Sequence, residues 1–491
     1  MNRPFRSIPS VDRVLQVIGD AEFPRPVVLA VVRRELESIR KQKTKPTFDG
    51  VLSRVRAALG VLRASRIQPV INGTGIIIHT NFARAPLGAA VIGTLSRIAS
   101  NYNNLEYSLI GGARSVRAAY LEQGLALLCG AEAATVVNNN AAALVLILRY
   151  FCDPATPDPA PPSHNKTKPA RSTKNEVIIS RGELIQIGGG FRIPEILESS
   201  GAMLREVGTT NKTSVRDYAR AITHETAMIL KVHRSNFYMD GFVESPLTEE
   251  IATLARQKRV PFVEDLGSGA VIETQAIVGL EHEPTPAEVI RRGVDLVCFS
   301  GDKLFGGPQS GIVAGKAKYV SALKQEPFFR ALRCDKLILS ALETTVDLHL
   351  RKSHFGASSS ILAAGKPEAN GSTDYTDVPV FEMLHASIDG LRSRAKNIKS
   401  ALDGLPIAAV IGVGRAQVGG GTLPRSALDS VTLNLTHEKL KPHDIATRLR
   451  EHSVPIIGYV ARGTFKIDLR TIFPRQDAEL IAAIRALVAE N

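Results

Sequence analysis

Beyond residue 70 the sequence alternates between short apolar runs and longer helical stretches, and this alternation limits the possible folds most. Runs such as AATVV, VIIS, PFVE and LVCFS end near Gly, Asn or Ser residues. Strands that are apolar throughout are buried on both faces, so the pattern predicts an α/β fold with a mainly parallel sheet and helices on both faces. We expect the first two runs, PVINGTG and IIIHT, to belong to this sheet.

Residues 1–66 predict a small helical domain. Ser10 is suited to cap a helix that begins at Val11, and an apolar stripe with helical spacing runs from Val27 to Leu36. The segment holds 14 Lys and Arg against 6 Asp and Glu, so +8 of the net charge of +13 lies here. Such a charge indicates a polyanionic partner such as nucleic acid, although a solvated helix face would carry it equally well.

The rest of the chain divides into residues 67–375, the predicted large α/β domain, and residues 376–491. The latter part mixes strand and helix patterns, which is typical of a compact α+β domain with an antiparallel sheet. Residues 153–175 interrupt the large domain with a stretch that has six prolines between 153 and 169. Proline disrupts helices and central strands, so we expect an exposed, extended insertion there.

Composition and missing motifs exclude several classes. The longest plainly apolar stretch, Ala141–Leu148, is far shorter than the ~20 residues that span a bilayer, and the N-terminus lacks a secretory signal. The four cysteines are far apart and form no CxxC pair, which disfavours a disulfide framework or a zinc site and fits the reducing cytoplasm. GxGxxG and P-loop motifs are absent.

Ligands of parallel sheets bind beyond the carboxyl ends of the strands, so the residues at those ends are the candidates for chemistry. Lys303 follows the apolar run Leu296–Phe299. Desolvation at such a place lowers the pKa of an amine and makes it competent to form a Schiff base, whereas a lysine after a strand is more often a surface residue. Ser300 could donate its hydroxyl to a phosphate in the same pocket.

Two further strand ends complete the pattern. Asp265 follows the run Val260–Val263, where a buried carboxylate needs a cationic partner such as a protonated pyridine nitrogen, or else caps the next turn. Asn138–Asn140 precede an apolar helix, whose first N–H groups can bind phosphate, although Asn is also an ordinary helix cap. This order of phosphate loop, aspartate and Ser-x-x-Lys is typical of aspartate aminotransferase-like enzymes that use pyridoxal 5′-phosphate (PLP).

Between about residues 67 and 470 the sequence resembles the bacterial selenocysteine synthases, the L-seryl-tRNA(Sec) selenium transferases. The similarity lies in INGTGIIIHTNFARAPL, VVNNNAAA, SRGELIQIGGGFRIPEI, EVGTTNKT, KVHRSNFYMDGF, VEDLGSG, FSGDKLFGGPQSGI, ALRCDKL and VPIIGYV. The segments SRGEL and SGDKL with their following glycines are specific to the family. The resemblance implies a PLP-dependent transferase of fold type I.

The resemblance also implies roles for single residues. Lys303 would carry the cofactor and Asp265 would hold its ring nitrogen. Asn139, Asn140 and Ser300 would lie near the phosphate, and Asn236 near the phenolic oxygen. The catalytic arginines would form a pocket for an oxyanion such as selenophosphate, because guanidinium binds such groups in a fork; they are Arg84, Arg330 and Arg333.

The implied reaction is a β-elimination from seryl-tRNA(Sec), followed by addition of selenium from selenophosphate. The basic domain 1–66 would bind the tRNA, with no DNA or membrane partner, and the protein would be a cytoplasmic homo-oligomer, a ring of dimers. Two alternatives remain open: a PLP-dependent lyase or aminotransferase acting on a free or phosphorylated amino acid, and a tRNA-binding protein with a vestigial PLP site.

The sequence departs from the family pattern at three positions. Ala83 and Ser115 stand where we expect glycine, and Arg234 stands where the family tends to have a small polar residue. These departures concern local loop geometry and leave the predicted PLP residues in place. Arg181, Glu183 and His233 also follow predicted strands, but the sequence assigns them no role.

Overall fold

The computed structural model describes residues 8–19, 22–42, 46–152, 174–186, 190, 192–356 and 377–489. Most of the proline-rich insertion and the expected domain boundary at 375/376 lie outside these residues. Contacts divide the chain into two compact units, residues 1–71 with 447–456 and residues 72–446 with 457–491. No helix among the described residues is both long and apolar enough to cross a bilayer.

The N-terminal residues form three helices, α1 (Val11–Ile18), α2 (Arg25–Arg40) and α3 (Phe48–Ala64). The Ser10 hydroxyl accepts the N–H of Arg13 at 3.3 Å, which confirms the predicted cap of α1. The apolar faces of the three helices pack together, with Val14 and Val32 fully buried. The predicted helical character of this segment is therefore confirmed.

The remaining elements alternate along the chain. In chain order the strands are β1 (Ile71–Asn72), β2 (Ile76–Ile78), β3 (Ala133–Val137), β4 (Glu176–Ser180), β5 (Met203–Val207), β6 (Thr226–Val232), β7 (Phe262–Gly267), β8 (Leu296–Ser300), β9 (Gly311–Gly315), β10 (Ile407–Gly419), β11 (Thr422–His437), β12 (Ile456–Ile457), β13 (Tyr459–Ala461) and β14 (Thr464–Asp468). The helices are α4 (Ala89–Ala99), α5 (Ala119–Cys129), α6 (Asn140–Cys152), α7 (Ile193–Ser199), α8 (Val215–Ala221), α9 (Thr248–Lys258), α10 (Pro286–Arg291), α11 (Ala317–Gln325), α12 (Pro327–Ala331), α13 (Lys336–Gly356), α14 (Pro379–His385), α15 (Ile388–Ala401), α16 (Pro442–Glu451) and α17 (Asp477–Ala489).

Seven strands form the central sheet in the order β3-β9-β8-β7-β6-β4-β5. Strand β9 is antiparallel to its neighbours β3 and β8, and the other pairs are parallel. Successive residues face opposite sides: on β8, Phe299 packs with α5, α9 and α13, whereas Cys298 packs with α6 and α11. The predicted mainly parallel sheet with helices on both faces is confirmed.

The expectation that PVINGTG and IIIHT join this sheet is wrong. Strand β1 lies outside it, and β2 pairs in parallel with β10 in a second sheet of order β13-β14-β11-β10-β2. The pairing depends on glycines, since a Cβ on Gly419 would lie 2.3 Å from Cγ2 of Ile76. A run of three isoleucines indicates a strand but contains nothing that selects its partner, which lies about 340 residues away in the chain.

The second sheet confirms the predicted antiparallel α+β arrangement of the C-terminal part. Its longest pair is β10 with β11, in register from Ile407–His437 to Gln417–Ala427. The sequence interpretation missed β10, whose mixture of small and apolar residues has no clear alternation. Two helices precede this pair in the chain, α14 and α15, and Ala386 and Ser387 separate them.

Candidate active site

Lys303 lies just beyond the carboxyl end of β8 and is 6% exposed. Burial lowers the pKa of this amine, and the positive charge of Arg84 lowers it further, whereas Asp265 and Asp302 oppose the change. Gly267 lies close to this amine. A Cβ placed on Gly267 would be 3.9 Å from Lys303 Nζ and 4.0 Å from Asp265 Oδ1. The structure therefore brings the predicted nucleophilic amine and the predicted carboxylate to within about 4 Å of one point beside Gly267.

Asp265 lies on β7, directly beside Cys298 of β8, and is 6% exposed. Its Oδ1 accepts a hydrogen bond from Asn140 Nδ2 at 2.8 Å. Burial raises the pKa of Asp265, while the Asn140 hydrogen bond and the charge of Lys303 act against that rise. A buried carboxylate interacts most favourably with a cation. The protonated ring nitrogen that the sequence predicts as the partner of Asp265 would be such a cation.

The three consecutive asparagines have three different environments. The side chain of Asn138 is exposed, and Asn139 Oδ1 accepts the N–H of Ala142 at 2.8 Å at the start of α6. Asn140 instead directs its amide to Asp265. The Asn139 side chain thus caps α6, whereas the Asn140 side chain donates to the carboxylate of Asp265.

Arg84 is brought to Lys303 by an ion pair that the sequence interpretation did not anticipate. Its Nη1 donates to both carboxylate oxygens of Asp302 at 2.9 Å, and the N–H of Ala85 donates to the Asp302 carbonyl at 3.2 Å. Ala83 and Arg84 have left-handed backbone angles, with φ of 61° and 66°. The glycine expected at position 83 would suit this conformation, and alanine adopts it nonetheless.

Arg330 and Arg333 line a cavity of about 440 Å³ beside the edge strand β3. Arg117 and Lys324 line the same cavity. Arg333 Nη1 lies 3.8 Å from Glu106, and its buried Nε has no hydrogen-bond partner among the described residues. The structure of this one chain therefore does not bring these two arginines together with Arg84.

The other predicted cofactor residues lie at the same edge of the sheet as Lys303. Ser300 ends β8 and is buried. Asn236 follows β6; its Nδ2 donates to the carbonyl of Gln186 at 2.8 Å, and its buried Oδ1 has no partner in the described part of the chain. The sequence interpretation missed Asp302, although it immediately precedes Lys303, and Ser235, whose Oγ lies 3.5 Å from the same Gly267 Cβ position.

The residues without a predicted role make separate contacts. Arg181 forms an ion pair with Glu206 at 2.7 Å on the exposed side of β5. His233 Nε2 lies 3.1 Å from the buried carboxylate of Glu283. Glu183 is buried, and its Oε2 accepts the N–H of Val232 at 3.0 Å.

A buried lysine beside a buried aspartate, at the carboxyl edge of a mainly parallel sheet, defines a PLP-dependent enzyme of fold type I. The family profile for L-seryl-tRNA selenium transferase matches residues 70–156 and 169–473, and the profile for the selenocysteine synthase N terminal matches residues 5–40. The chain belongs to the L-seryl-tRNA selenium transferase family.

Individual proteins agree with this assignment. The L-seryl-tRNA(Sec) selenium transferase of Geotalea uraniireducens is 39% identical over 496 residues, covering 98% of this chain and 99% of that protein. The enzyme of the same name from Aquifex aeolicus is 38% identical over 477 residues, covering 96% of each chain. Among solved structures, D-glucosaminate-6-phosphate ammonia-lyase has a TM-score of 0.55 at 17% identity, covering 88% of this chain and 98% of its own, which supports the fold alone.

The residues present fit PLP. Buried polar atoms without partners among the described residues lie in the segments that surround Lys303, namely Asn140 Oδ1, Ser268 Oγ and Asn236 Oδ1. Asp265 suits a pyridinium nitrogen, and the N-terminus of α6 suits a phosphate. The phenolic oxygen would need a donor, and Asn236 can supply the second N–H of its Nδ2, because only one N–H is donated to the carbonyl of Gln186.

Proposed function

We propose that this protein converts seryl-tRNA(Sec) into selenocysteinyl-tRNA(Sec), with selenophosphate as the selenium donor. The observation that carries the proposal is the similarity to selenium transferases along nearly the whole chain, at 36–39% identity. The match includes residues 5–40, so the N-terminal module belongs to the resemblance as well as the α/β body. An enzyme for a free amino acid does not need a basic appendage of this kind.

The residues around Lys303 suit removal of a proton from the α-carbon of the bound seryl group. PLP, when bound, supplies an electron sink for the charge that develops there. Because burial and Arg84 lower the pKa of Lys303, its amine has more of the neutral form that accepts a proton. Asp265, if ionised, keeps the ring nitrogen protonated, and its burial excludes water that would weaken this interaction.

The selenium donor is an oxyanion, and the arginines are the groups that suit it. We assign Arg84 to this role at the Lys303 end of the site, where Asp302 holds one of its guanidinium nitrogens, Nη1. Arg330 and Arg333 keep their assignment to anion binding. Cations are in excess in the lining of their cavity, where Arg117 and Lys324 join the two arginines against Glu122 and Glu326.

We assign tRNA binding to residues 1–66, as a basic helical domain. Arg33 and Arg40 lie on exposed positions of α2, where they can contact backbone phosphates. We further propose large and small domains at 67–375 and 376–491, a homo-oligomer built as a ring of dimers, and a cytoplasmic location. The separated, free cysteines support the last of these assignments.

The deciding experiment incubates the purified, PLP-loaded protein with seryl-tRNA(Sec) and selenophosphate and identifies the amino acid esterified to the tRNA. We expect selenocysteine with the wild type, none with Lys303→Ala, and wild-type yield with Lys318→Ala, which alters an exposed lysine. Parallel reactions contain free serine or phosphoserine. Turnover of these amino acids without turnover of the tRNA would establish the lyase or aminotransferase alternative instead.

A further inference from the structure

Asn140 is the first residue of α6, yet its side chain does not cap that helix. Asn139 performs the capping, with its Oδ1 on the N–H of Ala142. Asn140 Nδ2 donates a hydrogen bond at 2.8 Å to Oδ1 of Asp265 on β7, which is 125 positions away in the sequence. The remaining amide atom, Asn140 Oδ1, is buried and has no partner in the described part of the chain.

We propose that Asn140 is a positioning residue for the PLP reaction, which keeps Asp265 ionised and aimed at the ring nitrogen. The role of Asn140 in the reaction rests on the proposed function. The contact between Asn140 and Asp265 is a property of the protein itself. It also changes the role of Asn140 from the phosphate contact that the resemblance implies to a contact with the ring-binding carboxylate.

The physical need for such a residue follows from the burial of Asp265. A buried carboxyl group favours its neutral form, and a neutral carboxyl cannot hold a pyridinium. The Asn140 hydrogen bond is the strongest of the influences that lower the pKa of Asp265 against burial, ahead of the charge of Lys303 and the N–H of Gly267. Lys303 and Cys298 are the ionisable groups that face Asp265 within the described structure.

The position of Asn140 at a helix N-terminus allows a discriminating substitution. If Asn140 served only α6, Asn140→Asp would be neutral or stabilising, because acidic residues interact favourably with the positive end of the helix dipole. If it serves Asp265, the same isosteric change places two carboxyl groups in hydrogen-bond contact, where they cannot both be ionised. The two roles therefore predict opposite results for one variant.

The test measures PLP binding and the pH dependence of the absorption spectrum of bound PLP in wild type, Asn140→Asp and Asn140→Leu. We expect both variants to bind PLP about tenfold to a hundredfold more weakly, which corresponds to loss of one hydrogen bond to a buried charge. We also expect the spectral transition governed by the ring nitrogen to move to a different pH. Asn397→Asp and Asn397→Leu alter an exposed asparagine on α15, outside the proposed site, and should leave both readouts unchanged.

Thermal unfolding of the PLP-free proteins provides an independent readout. Asn140→Asp should lose stability relative to the wild type as the pH rises, since the two carboxyl groups share a proton. Wild-type PLP affinity and spectrum in Asn140→Asp would overturn the inference, as would a stability difference that does not change with pH. None of these readouts involves tRNA, so absence of selenium transfer by the wild type would refute the proposed function and leave this inference standing.

Discussion

Arg84 and Asp302 form an ion pair in which one guanidinium nitrogen lies 2.9 Å from each carboxylate oxygen. Asp302 immediately precedes Lys303, so the pair places one positive and one negative charge beside the amine that is to bind PLP. Their effects on Lys303 are opposite: Arg84 lowers the pKa of the amine, and Asp302 raises it. The two partners can therefore be separated experimentally.

The first prediction follows from these opposite effects. Arg84→Gln should raise the pKa of Lys303 and Asp302→Asn should lower it, because each change leaves the charge of the other partner uncompensated. The measurement is the rate at which PLP attaches to the PLP-free protein as a function of pH, since only the neutral amine reacts. A shift in the same direction for both variants would contradict the charge assignment.

The second prediction concerns Glu183, whose burial raises the pKa of its carboxyl group to about 7 from 4.5. A group that binds its proton more tightly in the folded state stabilises the protein less as the pH rises through this interval. Wild-type stability should therefore decline between about pH 4.5 and 7 by on the order of 3 kcal/mol from this group. Urea unfolding across that range provides the measurement.

Glu183→Gln is the matched variant for this measurement. Its amide oxygen can still accept the N–H of Val232, but it has no proton to release in this range. The stability of Glu183→Gln relative to the wild type should rise with pH. A difference between the two proteins that stays constant from pH 4.5 to 7 would show that Glu183 keeps an ordinary pKa.

The third prediction concerns Ala83, an exposed residue with a φ of 61°. The left-handed conformation costs an L-residue roughly 1–2 kcal/mol, and glycine avoids this cost while losing about 0.4–1 kcal/mol through its freer unfolded chain. Ala83→Gly should therefore raise the free energy of unfolding by about 0.5 kcal/mol. Ala482→Gly, on an exposed position in the middle of α17, should lower it by about 1 kcal/mol in the same assay.

The fourth prediction tests the N-terminal domain. Arg33→Gln and Arg40→Gln should weaken binding of tRNA(Sec), and each should reduce the slope of log K against log salt concentration by about 1 if its guanidinium neutralises one phosphate. Arg216→Gln, at an exposed position of α8 in the α/β body, should change neither quantity. Equal effects of all three substitutions would indicate general electrostatic attraction without a role for α2.

Many site residues could be predicted from local pattern because the chemistry lies where strands end. Lys303 and Asp265 each follow a run of apolar residues, and parallel strands carry such ends to one edge of the sheet. Asp302 could have been identified in the same way, since it lies between Ser300 and Lys303. The contact of Asn140 with Asp265 could not, because three identical asparagines in a row give no local reason for one to differ from the others.

What the sequence determines by itself is the alternation of strands and helices in the α/β body, the mainly parallel character of the central sheet, and the lysine and carboxylate at the edge of that sheet. These properties follow from the periodicity of apolar residues and from motifs within a few positions of one another. The tertiary structure alone decides that β2 joins β10, that Arg84 pairs with Asp302, and that Arg330 and Arg333 line a cavity whose lining does not include Arg84. Such pairings depend on shape, burial and charge between segments hundreds of residues apart, and no local pattern of side chains encodes them.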